Sequence, residues 1–233
     1  MRATFLPRPT TRSPQLVPLE PVPITETQRR TAHMAASLLL AYPEDDLPDL
    51  LAQVRPALAD LPLAVRDRLV GVCDALDSLE DRQSRYVATF DLKRRCAMYL
   101  SYYAAGDTRR RGNALVRFVE AYRAAGWEVT GSELPDYLPM VLEFSARSTG
   151  DDATIAGGLL ASHREGIEVL RSALAAERSP WTGAVEAVCL TLPRIDERTL
   201  ERYLALVTDG PPSELVGLTT AGPLEPFGAE AQR

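Results

Sequence analysis

The sequence predicts an all-α fold, a single helical domain of about eight to ten helices. Three observations carry this reading. Apolar residues recur at i, i+3, i+4 and i+7 along most of the chain. No window sustains period-2 alternation bounded by turn dipeptides such as Asn-Gly. Capping residues, prolines and glycines stand where helices must start and stop. No repeat of fixed period is visible, which argues against a solenoid.

Residues 1–24 hold six prolines and three arginines without a continuous apolar run, so a disordered, Pro-rich leader is expected there, and it has none of the character of a secretory signal. Thr25 and Gln28 form a capping-box pair that opens a first helix bearing Met34, Ala35, Leu38 and Ala41, stopped by Pro43. A second helix starts near Asp46 with Pro48 in its first turn, groups Leu47, Leu50, Leu51 and Val54, and ends or kinks at Pro56. Leu61, Val65, Leu69, Val72, Leu76 and Leu79 then form a narrow seam suited to packing between neighbours. A short element carries Tyr86 and Phe90 on one face.

Beyond it, Cys96, Tyr99, Leu100 and Tyr103 fall at helical spacing, as do Leu115, Phe118, Val119 and Tyr122. Gly106 is expected to end the first of these helices in a left-handed cap, Asp107 and Thr108 to cap the second, and Gly126 to close it. Trp127 to Gly131 reads as a loop. The next helix runs over 137–147, with Pro139 tolerated in its first turn. From Asp151 the stripe Ile155, Leu159, Ile167, Leu170, Leu174 contains Gly157, Gly158 and Gly166, which predicts close helix packing or a break near Gly166. Ser179 and Pro180 open a helix with Val185, Val188, Cys189 and Leu192, halted by Pro193. A last short helix is expected over 196–207, so the helical domain spans 25–207 and a flexible tail 208–233.

At 233 residues and 45% hydrophobic content, one large domain buries roughly 70–75% of its unfolded surface. Cys73, Cys96 and Cys189 sit far apart on apolar stripes with no CxxC, the pattern of reduced core residues in a cytoplasmic protein. A formal charge of −6 makes nucleic acid and anionic membrane surfaces poor partners, and a basic or amphipathic peptide a better one. The longest apolar runs are too short to span a bilayer.

The stretch from 86 to 144 concentrates aromatic residues and charge. At its corner Arg109, Arg110 and Arg111 occupy the first turn of a helix, where the macrodipole disfavours cations by a few tenths to about 1 kcal/mol each. Either carboxylates such as Asp107, Glu133, Asp136 and Glu143 offset them, or solvent does, or an outside partner does. Phe90-Asp91, MYLSYY at 98–103, GDTRRRGNALVRF at 106–118, AYRAAG at 121–126 and ELPDYLPMVLEF at 133–144 together resemble the respiratory nitrate reductase delta-subunit family, the NarJ molybdenum cofactor assembly chaperones, within the wider group of TorD-like helical maturation chaperones. LLLAYPEDDL at 38–47 fits as well, and the last 30 or so residues fit poorly. Cys96-Ala97 departs from the small polar residue expected before Met98.

The resemblance implies an all-helical, non-catalytic protein without a cofactor of its own. It implies binding to the catalytic subunit of respiratory nitrate reductase through that subunit's N-terminal amphipathic segment, help with molybdenum cofactor insertion alongside cofactor-delivery proteins, and delay of membrane docking. The alternatives are a maturation chaperone for a different molybdoenzyme and a structural or regulatory helical protein.

Residue chemistry outside the resemblance is sparse. His33 and His163 lie 130 positions apart with no ligand set around them, and no GxxxxGK[ST] or GxSxG occurs. The carboxylate pairs Asp45-Asp46 and Asp151-Asp152 fall at helix starts, where capping explains them. Glu133 with Asp136 lies beside two prolines and Tyr137. The candidate client surface is therefore Tyr99, Tyr103, Asp107, Arg109, Arg111, Glu133, Asp136, Tyr137 and Glu143, forming or bracing it.

Overall fold

The computed structural model describes residues 18–106 and 108–194. The helix expected over 196–207, the tail over 208–233 and the leader as far as residue 17 lie outside the described residues, as does Asp107. Ten α-helices make up the described chain, joined by a π-helical turn and a 3₁₀ turn. The one strand-like pairing among the described residues is an isolated antiparallel bridge between Tyr99 and Tyr137.

Helix α1 (Glu26–Leu40) opens on the capping box: Gln28 N–H donates to Thr25 Oγ1 at 3.2 Å and Thr25 N–H donates to Gln28 Oε1 at 3.0 Å. Helix α2 (Leu47–Ala57) has Pro48 in its first turn, and Asp46 at its N-cap makes no side-chain cap bond. Helix α3 (Leu63–Asp77) buries the seam Val65, Leu69, Val72 and Leu76. Helix α4 (Arg82–Tyr86) runs into the π-helical turn Val87–Asp91, turning Tyr86 and Phe90 inward. A 3₁₀ turn at Arg94–Cys96 leads to α5 (Leu100–Ala105) and α6 (Arg110–Ala124). Then come α7 (Leu138–Arg147), α8 (Gly150–Ser162), α9 (Arg164–Ala176) and α10 (Thr182–Thr191).

Helix α1 lies along α7 and α10 along α3, with α1 also meeting α10, so these four build the centre. Trp181, wholly buried, stacks edge-on against Tyr86 at 5.5 Å and Phe90 at 5.3 Å between ring centroids. Residues 18–24 run against this body, with Val22 N–H donating to the Leu190 carbonyl at 2.9 Å, so the last part of the expected leader is laid on α10.

His33 ties three helices together. Its Nε2 lies 2.8 Å from Thr191 Oγ1 on α10 and its Nδ1 2.9 Å from Ser145 Oγ on α7, and the ring is buried. Thr191 already donates its hydroxyl proton to the Val188 carbonyl at 2.7 Å, so Nε2 must be the donor and Nδ1 the acceptor. The imidazole is neutral: burial, and then the charge of Arg29, bring its pKa down to about 3.

Helix α9 is buried nearly all round, and charge is buried with it. Glu168 accepts from Arg164 at 2.8 Å and from Arg171 at 2.6 Å, all three at most 3% exposed. Arg164 also donates to the Cys189 carbonyl of α10 at 2.8 Å.

Three expectations are corrected. Cys96 to Tyr103 is not one helix: residues 97–99 are extended, because Leu100 N–H donates to the Asp136 carbonyl and Leu138 N–H to the Met98 carbonyl, and α5 begins only at Leu100. Gly106 does end α5, but with φ +59° and ψ −156° rather than in a left-handed helical cap, and Arg109 takes the N-cap position of α6 while Thr108 Oγ1 accepts from Arg110 N–H at 3.2 Å. By helical spacing Tyr102 would point away from the face that Tyr99 and Tyr103 share, yet it is buried as Tyr103 is.

The break expected near Gly166 falls at His163, and the close packing occurs as well. A Cβ on Gly166 would lie 2.8 Å from Tyr103 Cδ2, and Tyr103 is fixed by its hydroxyl donating to the Ala97 carbonyl at 2.7 Å. Gly166→Ala is expected to lower unfolding free energy by about 1–3 kcal/mol in urea melts.

Candidate functional site

The site grows from the pairing of two extended segments, 97–100 and 134–138. Helix α5 has only six residues and its N-cap residue, Tyr99, makes no side-chain cap bond. Asp136 supplies the missing acceptor from 35 positions away: its Oδ2 accepts from Ser101 N–H at 3.0 Å and from Ser101 Oγ at 2.6 Å. Asp136 is wholly buried, so it braces the surface from beneath and cannot touch a partner. Asp136→Ala is expected to cost about 1–3 kcal/mol in a chemical melt by stranding these donors, and Asp136→Asn, which keeps an acceptor oxygen, less.

Above that brace the two tyrosines face one another, ring centroids 5.6 Å apart. Tyr99 donates its hydroxyl to Glu133 at 3.1 Å, and the guanidinium of Arg111 sits 5.5 Å above the Tyr99 ring and 6.0 Å from that of Tyr102. The arginine corner and the acidic loop therefore meet through Tyr99. Tyr137 shares a hydroxyl–hydroxyl bond of 3.0 Å with Tyr86, which in turn packs edge-on to the exposed Tyr42 at 5.3 Å. The result is a run of tyrosines from Tyr42 to Tyr99.

These phenols stay protonated at neutral pH. Burial, then the nearby charge of Glu133, pushes Tyr99 up to about 12, and burial raises Tyr86 and Tyr137 as well. They offer flat apolar area and hydroxyl donors rather than bases. The thiols behave likewise: all three are buried, and burial raises each, Cys96 to about 11, so none is a thiolate at neutral pH. Among the described residues no group of three histidines, cysteines or carboxylates is placed to hold a metal ion, and no helix is long and apolar enough to cross a membrane.

Of the residues proposed from sequence, Tyr99, Arg111, Glu133 and Tyr137 come together at the surface. Tyr103 and Asp136 lie beneath it. Arg109 is exposed at the start of α6, Asp107 lies outside the described residues, and Glu143 is further along α7, paired with Arg147 at 2.8 Å. Sequence reading missed Trp127, taken only as part of a loop. It packs against Phe144 at 6.0 Å between centroids and lies 4.8 Å from the Arg147 guanidinium. A lone tryptophan in an otherwise polar connection was the available signal.

Residues 48–187 match the family model described as nitrate reductase delta subunit. The chain is 38% identical over 160 residues to the nitrate reductase-like protein NarX of Mycobacterium tuberculosis, covering 67% of this chain and 23% of that protein. It is 35% identical over 126 residues to the Bacillus subtilis protein named "Probable nitrate reductase molybdenum cofactor assembly chaperone NarJ", covering 52% of this chain and 67% of the relative. Against the nitrate reductase molybdenum cofactor assembly chaperone NarJ of Escherichia coli the identity is 31% over 126 residues, 50% of this chain and 52% of the relative. The matched region thus spans under a quarter of the mycobacterial protein and between half and two thirds of these two chaperones.

Proposed function

The chain belongs to the nitrate reductase delta subunit family, and from that premise we propose that it is a maturation chaperone for a respiratory nitrate reductase. It binds the catalytic subunit before the molybdenum cofactor is in place, keeps that subunit competent for insertion, delays its docking at the membrane, and then leaves. The family match across 48–187 carries the reading, since it takes in both extended segments that build the tyrosine surface. On this reading the protein transforms no substrate and works in the cytoplasm, where cofactor-delivery proteins meet the same client.

The client contact is the surface around Tyr99, Arg111, Glu133 and Tyr137, and the segment it captures is the amphipathic N-terminus of the catalytic subunit. Such a helix-in-groove contact with four apolar anchors, at about 1.5–3 kcal/mol each, yields roughly 6–12 kcal/mol before association costs of about 4 kcal/mol or more. An isolated peptide should therefore bind at micromolar affinity or weaker, which suits a protein that must release its client.

The test is affinity purification of the intact chain from nitrate-respiring cells, with the molybdenum content of the reductase measured in cells lacking it. The expected outcome is co-purification of the catalytic subunit and a metal-poor reductase in the deletion strain. Fully metallated reductase in that strain would overturn the proposal, and capture of another molybdoenzyme's catalytic subunit would move it to that client.

A further inference from the structure

Away from the tyrosine surface, the stretch from 82 to 95 runs against the charge of the rest of the chain. It holds five cations, Arg82, Arg85, Lys93, Arg94 and Arg95, against one carboxylate, Asp91, on a protein of net charge −6. Four consecutive side chains, Leu92 to Arg95, are exposed, and Leu92 at 75% is the most exposed large hydrophobic residue among those described. Its amide donates to the Val87 carbonyl at 3.2 Å, which closes the π-helical turn and leaves the leucine at the head of the basic run.

Beside it a cleft of about 400 Å³ opens between α4 with its π-helical turn and the link from α9 to α10. That volume lies in the range of small-ligand pockets. Arg85 and Lys93 line it together with Ser84, Ser179, Asp81 and Glu177. Lys93 is held by Glu177 at 2.5 Å, and Arg85 is exposed. The two non-glycine residues of positive φ among those described both border it: Asp81 at +38° is part of the lining, and Arg178 at +49° stands between Glu177 and Ser179. Backbone strain and π-helical turns gather at functional sites.

The lining sets the chemistry of the occupant. Two cations take an anionic oxygen group, while two carboxylates and two hydroxyls take alcohol groups, and a phosphodiester carrying a glycerol offers both. An exposed leucine followed by three cations calls for a partner that is apolar beneath an anionic layer, which a bilayer surface supplies and a soluble metabolite does not. The formal charge of the whole chain does not oppose this. Charges are screened over about 8 Å at physiological salt and a domain of this size is about 40 Å across, so acidic groups on the far side are not felt at the basic face.

We propose that residues 85–95 make a peripheral contact with an anionic phospholipid surface, with a phosphatidylglycerol headgroup in the cleft, its phosphate on Arg85 and Lys93, and Leu92 in the interface. The inference does not depend on the chaperone reading. It brings the protein to the membrane face without any spanning helix among the described residues.

Lys93 is the only lysine in the chain, so amine-reactive labelling read by mass spectrometry reports this patch, the N-terminal amine aside. Vesicles of equal parts phosphatidylglycerol and phosphatidylcholine should carry the purified full chain upward in a flotation gradient, and vesicles of phosphatidylcholine alone should not. Labelling of Lys93 should fall with the first and hold with the second, and binding should weaken as salt rises. Leu92→Ser should weaken binding about tenfold and Arg85→Glu tenfold or more, both at exposed positions and with thermal midpoints unchanged.

Equal binding to both vesicle types, or wild-type binding by both variants, would overturn the proposal. Absence of flotation with either vesicle would overturn it too, and leave the basic face to an acidic protein partner. Protection of Lys93 by soluble glycerol 3-phosphate, without flotation, would make the cleft a metabolite site instead. None of these results bears on capture of the client.

Discussion

Glu168→Ala is expected to destabilise the protein by about 3–5 kcal/mol, because it leaves Arg164 and Arg171 as buried cations without their carboxylate. For a domain of this size that corresponds to a fall in thermal midpoint of roughly 6–20 °C. Urea melts should show a lower midpoint with an unchanged slope, since the surface exposed on unfolding is the same. The stabilising value of the triad is a separate matter: desolvating three charges costs several kcal/mol per ion, so a triple replacement by apolar residues of similar volume should come close to wild type or exceed it. Loss of less than 1 kcal/mol in Glu168→Ala would mean that the arginines find other partners or reach water.

Stability should also fall as the medium is acidified below pH 6.5, through His33. The sign follows from which state binds the proton. Above pH 6.5 the ring is neutral folded and unfolded, and it contributes no pH dependence. Between 6.5 and about 3 the unfolded chain takes up a proton that the folded ring refuses, so unfolding gains about 1.4 kcal/mol per pH unit, approaching 5 kcal/mol at the lower end. Protonation would place a hydrogen on Nδ1 facing a Ser145 hydroxyl that has Arg29 on its other side at 3.2 Å. Carboxylates titrate in the same range, so the measurement is a difference: melts of wild type and His33→Gln from pH 7 to 4. The glutamine variant should start less stable and lose less, the two curves converging with acid. Parallel curves would show that the folded ring takes up its proton as readily as the unfolded one.

Local signals made most helix ends legible. Thr25 with Gln28, Pro48, Pro139 and Pro193 each act within a few residues of themselves, and the Leu61–Leu76 seam reports its own burial through its spacing. What sequence could not show is what depends on partners far along the chain. Cys96, Tyr99, Leu100 and Tyr103 fit a helical period, yet backbone bonds to 136 and 138 hold 97–99 extended. Arg164, Glu168 and Arg171 have the spacing of a solvated ion-pair face, and only the helices packed round α9 make them interior. At the candidate surface, four of the nine residues named from sequence, Tyr99, Arg111, Glu133 and Tyr137, lie together. Asp136, read as forming or bracing that surface, lies buried beneath it, and Trp127 gave no periodic signal because its loop has none.

The reach of Asp136 across 35 positions has a kinetic meaning. A helix of six residues is far too short to persist by itself in water, so α5 depends on its packing against α6 and α9 and, at its first turn, on the docked 134–138 segment. The two should therefore open and close as one unit in hydrogen exchange, with the amides of Ser101, Leu100 and Leu138 sharing a single protection level. Since Tyr99 and Tyr137 ride on these segments, the tyrosine face is present whole or absent whole, and any solvent or variant that loosens one side removes both.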